Sequence, residues 1–520
     1  MTASELSTSA AVTSRMHMAG RYGGILLAML VFALLRFGGS GLSQQQAAAA
    51  GITTLMAVWW MTEALPLAVT SLMPLVLFPI TGVLTIEETA RPYADKNIFL
   101  FMGGFLLALA IEKSNLHRRI ALLTVSAAGT NPMRLIGGVM LATGAISMWI
   151  SNTATAAMML PIGLSLIALL SDQVAVASRD ADAALSGRKP GDDFGAAHEN
   201  SSAGRFATCM MLGIAYAASI GGMGTLVGTP TNVTLAGFAH KAGLEISFAS
   251  WALLGVPLAL LYLLIAWLVL TCWLFPIRLR EIPGGRELIR EELRKLGRIS
   301  RPEIVVLCVF SLTALTWLLR APLNRWLQLS VSQLDDAVIG MAGALSLFLI
   351  PVSSTRREFA LDWQTASRLP WGVLILFGGG FALAAGLQAS QLDLVVGQQL
   401  RLARDLLPQW MLITLIIALV VLMSELASNT PTAATFLPIV YGLSQAIDAP
   451  ALLFLVPVTL GASCGFMLPV GTPPNAIAFG TGYVTIRQMM RAGRWLDLIG
   501  IVLISLLMQT LGVWAFGIRD

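Results

Sequence analysis

Charge is what this chain has least of. Of its 520 residues 12% are charged and 56% hydrophobic, where a soluble domain carries about 25% charged residues. That shortage excludes an ordinary water-soluble enzyme or binding module and makes lipid the main solvent. Cysteine is equally scarce: Cys209, Cys272, Cys308 and Cys464 stand singly in apolar stretches with no CxxC spacing, which excludes a disulfide framework and a zinc knuckle. The four histidines, His17, His117, His198 and His240, are scattered and make no metal set. The net charge is +5, but the basic residues occupy short loops between apolar spans, where they orient helices and do not form a nucleic-acid stripe. Residues 1–22 lack a short apolar core with a small-residue cleavage site and read as a cytoplasmic tail, not a signal peptide.

Apolar length is what the chain has in excess. A bilayer crossing takes about 20 residues of helix, and apolar segments run over 23–37, 46–62, 66–84, 97–112, 135–171, 206–240, 249–276, 303–320, 336–352, 370–388, 408–447, 450–483 and 496–517. Most are one span long. The segments 135–171, 206–240, 408–447 and 450–483 are too long, since straight helices of that length would extend about 50–60 Å. Each must break near its middle.

The same words recur at those breaks. Ser151-Asn152-Thr153 and the residues up to Ile162 match Ser428-Asn429-Thr430 and the residues up to Ile439 at nine of twelve positions. Leu100-Phe101-Met102-Gly103-Gly104-Phe105 is echoed by Leu376-Phe377-Gly378-Gly379-Gly380-Phe381, and Val227-Gly228-Thr229-Pro230 recurs as Val470-Gly471-Thr472-Pro473. The offsets are 276, 277 and 243, and the shortfall of 34 equals the length of the hydrophilic insert 172–205. The chain is an internal duplication. Lys113, Arg118 and Arg119 follow the first Gly-Gly-Phe helix, whereas Arg356, Arg357 and Arg368 precede the second. With the basic side cytoplasmic, the copies are inverted. A cytoplasmic N-terminus, with 135–171 and 408–447 as re-entrant hairpins, gives about eleven crossings and an extracytoplasmic C-terminus. The run Arg278 to Arg301 reads as a solvated or interfacial linker helix on the inside.

The breaks carry the chemistry. A turn at each Ser-Asn-Thr makes two helices meet inside the membrane, the second starting at an Asn or Thr suited to N-capping. Such a start presents free N–H groups and partial positive charge to an anion. The Gly-rich Thr-Pro breaks unwind, and the freed carbonyls must be satisfied by protein or by a bound ion. Oxygen donors without obligatory carboxylate or sulfur suit Na⁺ better than zinc or copper. The sequence therefore supplies, twice, an anion-attracting tip beside a cation-attracting break, which points to coupled transport and not to an enzyme. The nearest basic residues along the chain, Arg134, Arg205, Lys241 and Arg487, lie at segment edges, so the anion site is expected to hold no Arg or Lys. Glu63 and Glu112 at span ends read as interfacial. Glu425, three residues before the second tip, is a candidate for the chemistry or for pairing at the hairpin base.

The two Ser-Asn-Thr motifs, the two Thr-Pro motifs and the Gly-Gly-Phe helices resemble the divalent anion/Na⁺ symporter family of dicarboxylate, citrate and sulfate carriers, from about residue 25 to residue 518. The resemblance implies an all-α polytopic homodimer of the cell (inner) membrane working as an elevator. Its scaffold helices would be 23–134 and 303–400, joined through the cytoplasmic linker 277–302. One transport-unit half would be 135–276, made of hairpin 135–171, insert 172–205, broken helix 206–240 and following helix 249–276. The other would be 401–520, made of hairpin 408–447, broken helix 450–483 and last helix 496–517. The resemblance further implies that Asn152, Thr153, Asn429 and Thr430, with Thr472 and Pro473, hold a substrate carboxylate. Ser151, Asn152 and the backbone near Gly228 would bind one Na⁺, and Asn429 and the backbone near Gly471 a second. No cofactor is implied beyond Na⁺ as coupling ion; the partners are a small dianion, Na⁺, lipid and a second copy. Importing a dianion against about 100 mV costs ~4.6 kcal/mol and each Na⁺ returns ~2.3. Two Na⁺ cancel the charge, a third draws on the potential, and an exchanger of dianions needs none.

Overall fold

A computed structural model of the chain describes residues 3–39, 41–184, 202–277, 285–328, 333–353, 358–392, 395 and 407–518. Parts of the expected insert 172–205, of the linker 277–302 and of residues 393–406 lie outside the described residues. Among those described, the chain is helical except for one antiparallel ribbon, Pro351–Ser353 with Glu358–Phe359. Among the described residues nine helices are long and apolar enough to cross a membrane: Met18–Phe37, Ile86–Lys113, Asn152–Leu170, Ser202–Gly222, Phe248–Leu274, Arg301–Leu318, Trp371–Ala389, Gln409–Leu426 and Ile486–Ala515. Shorter apolar helices cover Leu67–Thr81, Pro132–Ser147, Asp336–Leu349 and Leu452–Ala462. Outward leucines such as Leu312, Leu315 and Leu318 are exposed. Such a row is a liability in water and an ordinary surface in lipid.

The first helix, Ala3–Phe37, runs without interruption through the residues expected to form a tail. No proline lies between Met1 and Gly38 to stop it. All four overlong segments are broken. Pro132–Ser147 gives way to Asn152–Ala184, and Ser202–Gly222 to Pro230–Lys241. In the second half Gln409–Leu426 is followed by Asn429–Ala446, and Leu452–Ala462 by Pro473–Gly480. Pro230 and Pro473 stand at the first helical position, where a missing N–H costs nothing and the fixed φ suits the helix.

The Gly-Gly-Phe helices, Lys96–Lys113 and Trp371–Ala389, meet through Phe101 and Phe377, whose rings are 5.7 Å apart. Gly103 lets the first of them touch backbone: a Cβ there would lie 2.6 Å from the Gly340 carbonyl carbon. Gly237 lets helix Pro230–Lys241 close on a side chain instead, since a Cβ at that position would overlap the tip of the Phe381 ring. Lys113, at the end of one Gly-Gly-Phe helix, pairs at 2.7 Å with Asp362, which caps the short helix Trp363–Ala366 just before the other begins. The linker helix Gly285–Leu296 joins the same face, with Arg118 on Glu292 at 2.7 Å and Arg119 on Glu303 at 2.6 Å.

Candidate functional site

The two tips are built alike. Ser147 Oγ lies 2.9 Å from Asn152 Oδ1 and 2.6 Å from the Ala218 carbonyl oxygen. Ser424 Oγ lies 2.9 Å from Asn429 Oδ1 and 2.5 Å from the Ala462 carbonyl oxygen. In each copy a single hydroxyl proton is shared among three oxygens, which leaves lone pairs to spare beside the broken helix. The expected Asn and Thr caps are corrected here. Ser151 takes the capping role at the first tip, accepting from the Ala154 amide at 3.3 Å, and Ser428 holds the N-cap position at the second. The asparagine side chains turn back toward Ser147 and Ser424 instead.

The unwound stretches are tied by a second pair of amides. Asn232 Nδ2 donates to the carbonyls of Gly222 (3.1 Å) and Thr225 (2.8 Å), and Asn475 Nδ2 to those of Gly465 (2.9 Å) and Leu468 (3.1 Å). Both amide oxygens are buried with no hydrogen bond among the described residues. Each break thus presents surplus oxygen and little surplus N–H, a donor set that fits a hard monovalent cation. Gly228 sits tightly behind the first tip, where a Cβ would lie 2.5 Å from the Gly222 carbonyl oxygen and 3.0 Å from that of Met148. At Gly471 a Cβ would lie 3.4 Å from the Leu468 carbonyl oxygen.

Glu425 is buried and accepts three amides of the second break, from Phe466 (2.6 Å), Met467 (2.7 Å) and Leu468 (3.0 Å). The first copy has Met148 at the equivalent position, and its carbonyl accepts the Thr225 hydroxyl. The second half therefore carries a carboxyl group where the first carries a thioether.

Both tips and both breaks open on one cavity of about 460 Å³. Ser151, Asn152 and Thr153 face it from one side and Ser428, Asn429 and Thr430 from the other; Thr229, Pro230, Gly471, Thr472 and Pro473 complete the wall. Of the residues expected at the site, only Gly228 and Glu425 lie behind this wall. Arg368 and Glu112 also line the cavity, which corrects the expectation that no basic residue would reach it. Arg368 is 60 residues before Ser428 in sequence and arrives through the turn ahead of helix Trp371–Ala389. Chain distance concealed it. Ser147, Ser424, Asn232 and Asn475 were also missed, although each recurs at its copy's fixed offset.

A protein-family description, "Sodium:sulfate symporter transmembrane region", matches residues 21–518. The sodium-dependent dicarboxylate transporter SdcS of Staphylococcus saprophyticus is 41% identical over 498 residues, which cover 95% of this chain and 91% of that one. The SdcS of Staphylococcus aureus strain USA300 is 40% identical over 493 residues, covering 94% and 90%. The solved Alcanivorax borkumensis YdaH transporter aligns with 89% of this chain and 98% of its own at 15% identity and a TM-score of 0.47, a likeness with no weight for the site. The similarity to the two staphylococcal transporters is near full length, and the matched region takes in both Ser-Asn-Thr tips and both Thr-Pro breaks: this integral membrane protein belongs to the sodium:sulfate symporter family, a family of transporters without enzymatic chemistry.

Proposed function

We propose that the protein imports a C4-dicarboxylate such as succinate, malate or fumarate together with Na⁺ across the cell's inner membrane. The observation that carries this reading is the single cavity shared by two helix tips and two unwound breaks, with surplus oxygens behind each tip. The relatives' names, both sodium-dependent dicarboxylate transporters, support the same substrate class. A four-carbon dianion offers one carboxylate to each side. Asn152 and Thr153 take one end, Asn429 and Thr430 the other, and Thr472 and Pro473 close the wall. The partial positive charge of helices Asn152–Ala184 and Asn429–Ala446 faces the ligand. Arg368 at the lining draws the anion in without gripping it.

Na⁺ binds before the dianion in this reading. One ion sits among Ser151, Asn152 and the backbone of Gly228, a second among Asn429 and the backbone of Gly471. Each organises an asparagine that would otherwise answer only to a serine, so the carboxylate meets a finished tip only when the cations are present. The scaffold comprises residues 23–134 and 303–400, and the moving unit 135–276 and 401–520, in a homodimeric elevator. The Lys113–Asp362 pair, which brings the end of one Gly-Gly-Phe helix to the start of the other, supports the inverted arrangement of the halves. The N-terminus lies in the cytoplasm and the C-terminus outside.

Uptake of labelled succinate into proteoliposomes, with and without an inward Na⁺ gradient and with sulfate and citrate as competitors, tests the proposal. Na⁺-stimulated uptake blocked by malate and fumarate is expected. Uptake indifferent to Na⁺ but dependent on internal dicarboxylate would show an exchanger instead. The family description names sulfate, and complete competition by sulfate at equimolar concentration would favour that ligand.

A further inference from the structure

We propose that the groove between helices Leu116–Ala127, Pro132–Ser147 and Phe248–Leu268 binds an anionic phospholipid, with an acyl chain in the groove and the phosphate on Arg134. The groove is a cavity of about 490 Å³ that shares no residue with the substrate cavity. Small residues open it: Ala127 and Ala128 on one side, Gly137 and Gly138 on the next helix. Gly138 sets how closely the two elements approach, since a Cβ there would lie 2.6 Å from the Ala128 Cβ. Leu141, Leu260 and Leu264 flank the groove and are exposed. It therefore opens sideways, where the medium is hydrocarbon and not water.

One charged side chain lines this apolar groove. Thr124 donates its hydroxyl to the Ile120 carbonyl at 2.9 Å, and Trp267 its indole N–H to the Met133 carbonyl at 2.9 Å. Asn131 accepts the Met133 and Arg134 amides at 3.1 and 3.2 Å, so the start of the hairpin arm has spent its first N–H groups. Arg134 keeps its guanidinium free. It is exposed and makes no ion pair among the described residues, whereas Arg118 and Arg119 on the neighbouring helix are matched by Glu292 and Glu303. A guanidinium grips a phosphate through two parallel N–H bonds while its stem lies on apolar surface. Depth fits the same occupant. The hairpin arm has 16 residues, about 24 Å of helix, so with the tip deep in the membrane Arg134 stands at the headgroup level. Leu141 lies about 10 Å further in along the arm, and Trp267, an amphipathic ring of the kind found at membrane interfaces, packs beside Gly137. Basic pockets between membrane helices take anionic headgroups. The second copy has Met411 at the position of Arg134, so the site occurs once per chain. A lipid there lies across the seam between scaffold and moving unit of the proposed elevator.

Full-length protein in phosphatidylcholine vesicles gives the test, with a trace of phosphatidylglycerol bearing a photoactivatable acyl chain and, for comparison, phosphatidylcholine bearing the same chain. After illumination the phosphatidylglycerol should label peptides holding 124–141 and 260–267 about fivefold more than the comparison lipid, the preference that one charge near the surface supplies. Added salt should reduce that preference. Arg134→Gln should bring labelling of those peptides down to the comparison level and leave labelling elsewhere unchanged. Ala127→Phe, at an exposed position, should lower labelling there by both lipids because it narrows the groove. Equal labelling by the two lipids in the wild type, or undiminished labelling in Arg134→Gln, would overturn the site. So would displacement by free fatty acid but not by unlabelled phosphatidylglycerol, or crosslinks between two copies of the chain through these peptides in place of lipid. The wild-type comparison decides even where a variant fails to fold.

Discussion

Asn152 and Asn429 each begin a helix, face the cavity and lean on a serine five residues earlier, so in the proposed cycle each serves the anion, the cation and the fold of its tip. Asn152→Ala and Asn429→Ala should each abolish uptake, with thermal unfolding in detergent shifted by only a few degrees; near-normal transport by both would make the tips structural. Arg368 is exposed, so its charge acts through water and salt. Arg368→Gln is expected to raise the apparent KM for succinate about two- to fivefold, an effect that fades in high salt. The Lys113 ammonium holds the Asp362 carboxyl down to about 2, below its ordinary 3.8. A depressed carboxyl stabilises the fold above its ordinary value and loses that contribution as pH falls from about 4 toward 2. Acid unfolding of Asp362→Asn should therefore be flatter across that window than that of the wild type. At this scale the sequence was legible at the repeated motif residues and not at Ser147, Ser424, Asn232 and Asn475, which also recur but whose partners only folding supplies. Arg368 has a sequence counterpart in Arg91, at the offset of 277, but reaches the cavity only through folding.

Helix ends obeyed the chemistry of their residues more closely than their apolar length. The prolines at 230 and 473 and the glycines before them mark the breaks in sequence and in structure alike. Counting crossings was harder. About eleven were expected with both hairpins left out, whereas the nine helices of crossing length among the described residues include the hairpin arms Asn152–Leu170 and Gln409–Leu426 and leave out Leu67–Thr81, Asp336–Leu349 and Leu452–Ala462, which no length rule separates from short core helices. The tail expected over 1–22 is helical from Ala3 on, because Ser, Thr and Ala without proline permit a helix. The close approach of helix Pro230–Lys241 to helix Trp371–Ala389 has no signature in hydropathy, since it depends on the absence of a single Cβ at Gly237. Gly237→Val should slow uptake more than tenfold by forcing the helix off Phe381. Adding Phe381→Ala should recover part of the rate, and strictly additive losses in the two variants would show that the contact is incidental.

Ionic fastenings lie at both ends of helix Lys96–Lys113: Lys96 and Arg320 meet Asp335 and Asp336 at its start, and on the face at its end Lys113, Arg118 and Arg119 meet Asp362, Glu292 and Glu303. If that face is cytoplasmic, an impermeant reagent applied to intact cells should reach a C-terminal tag and spare an N-terminal one; both tags on one side would overturn the odd number of crossings. Ser147 and Ser424 have a further consequence. Each hooks its tip to the helix behind it, to Ala218 in one half and Ala462 in the other, so a flap-like swing of either tip alone would have to break that bond. In the proposed elevator, release displaces the entire unit through the bilayer, and turnover inherits the friction of the lipid. A thicker or more ordered membrane should then slow the cycle for every substrate in the same proportion.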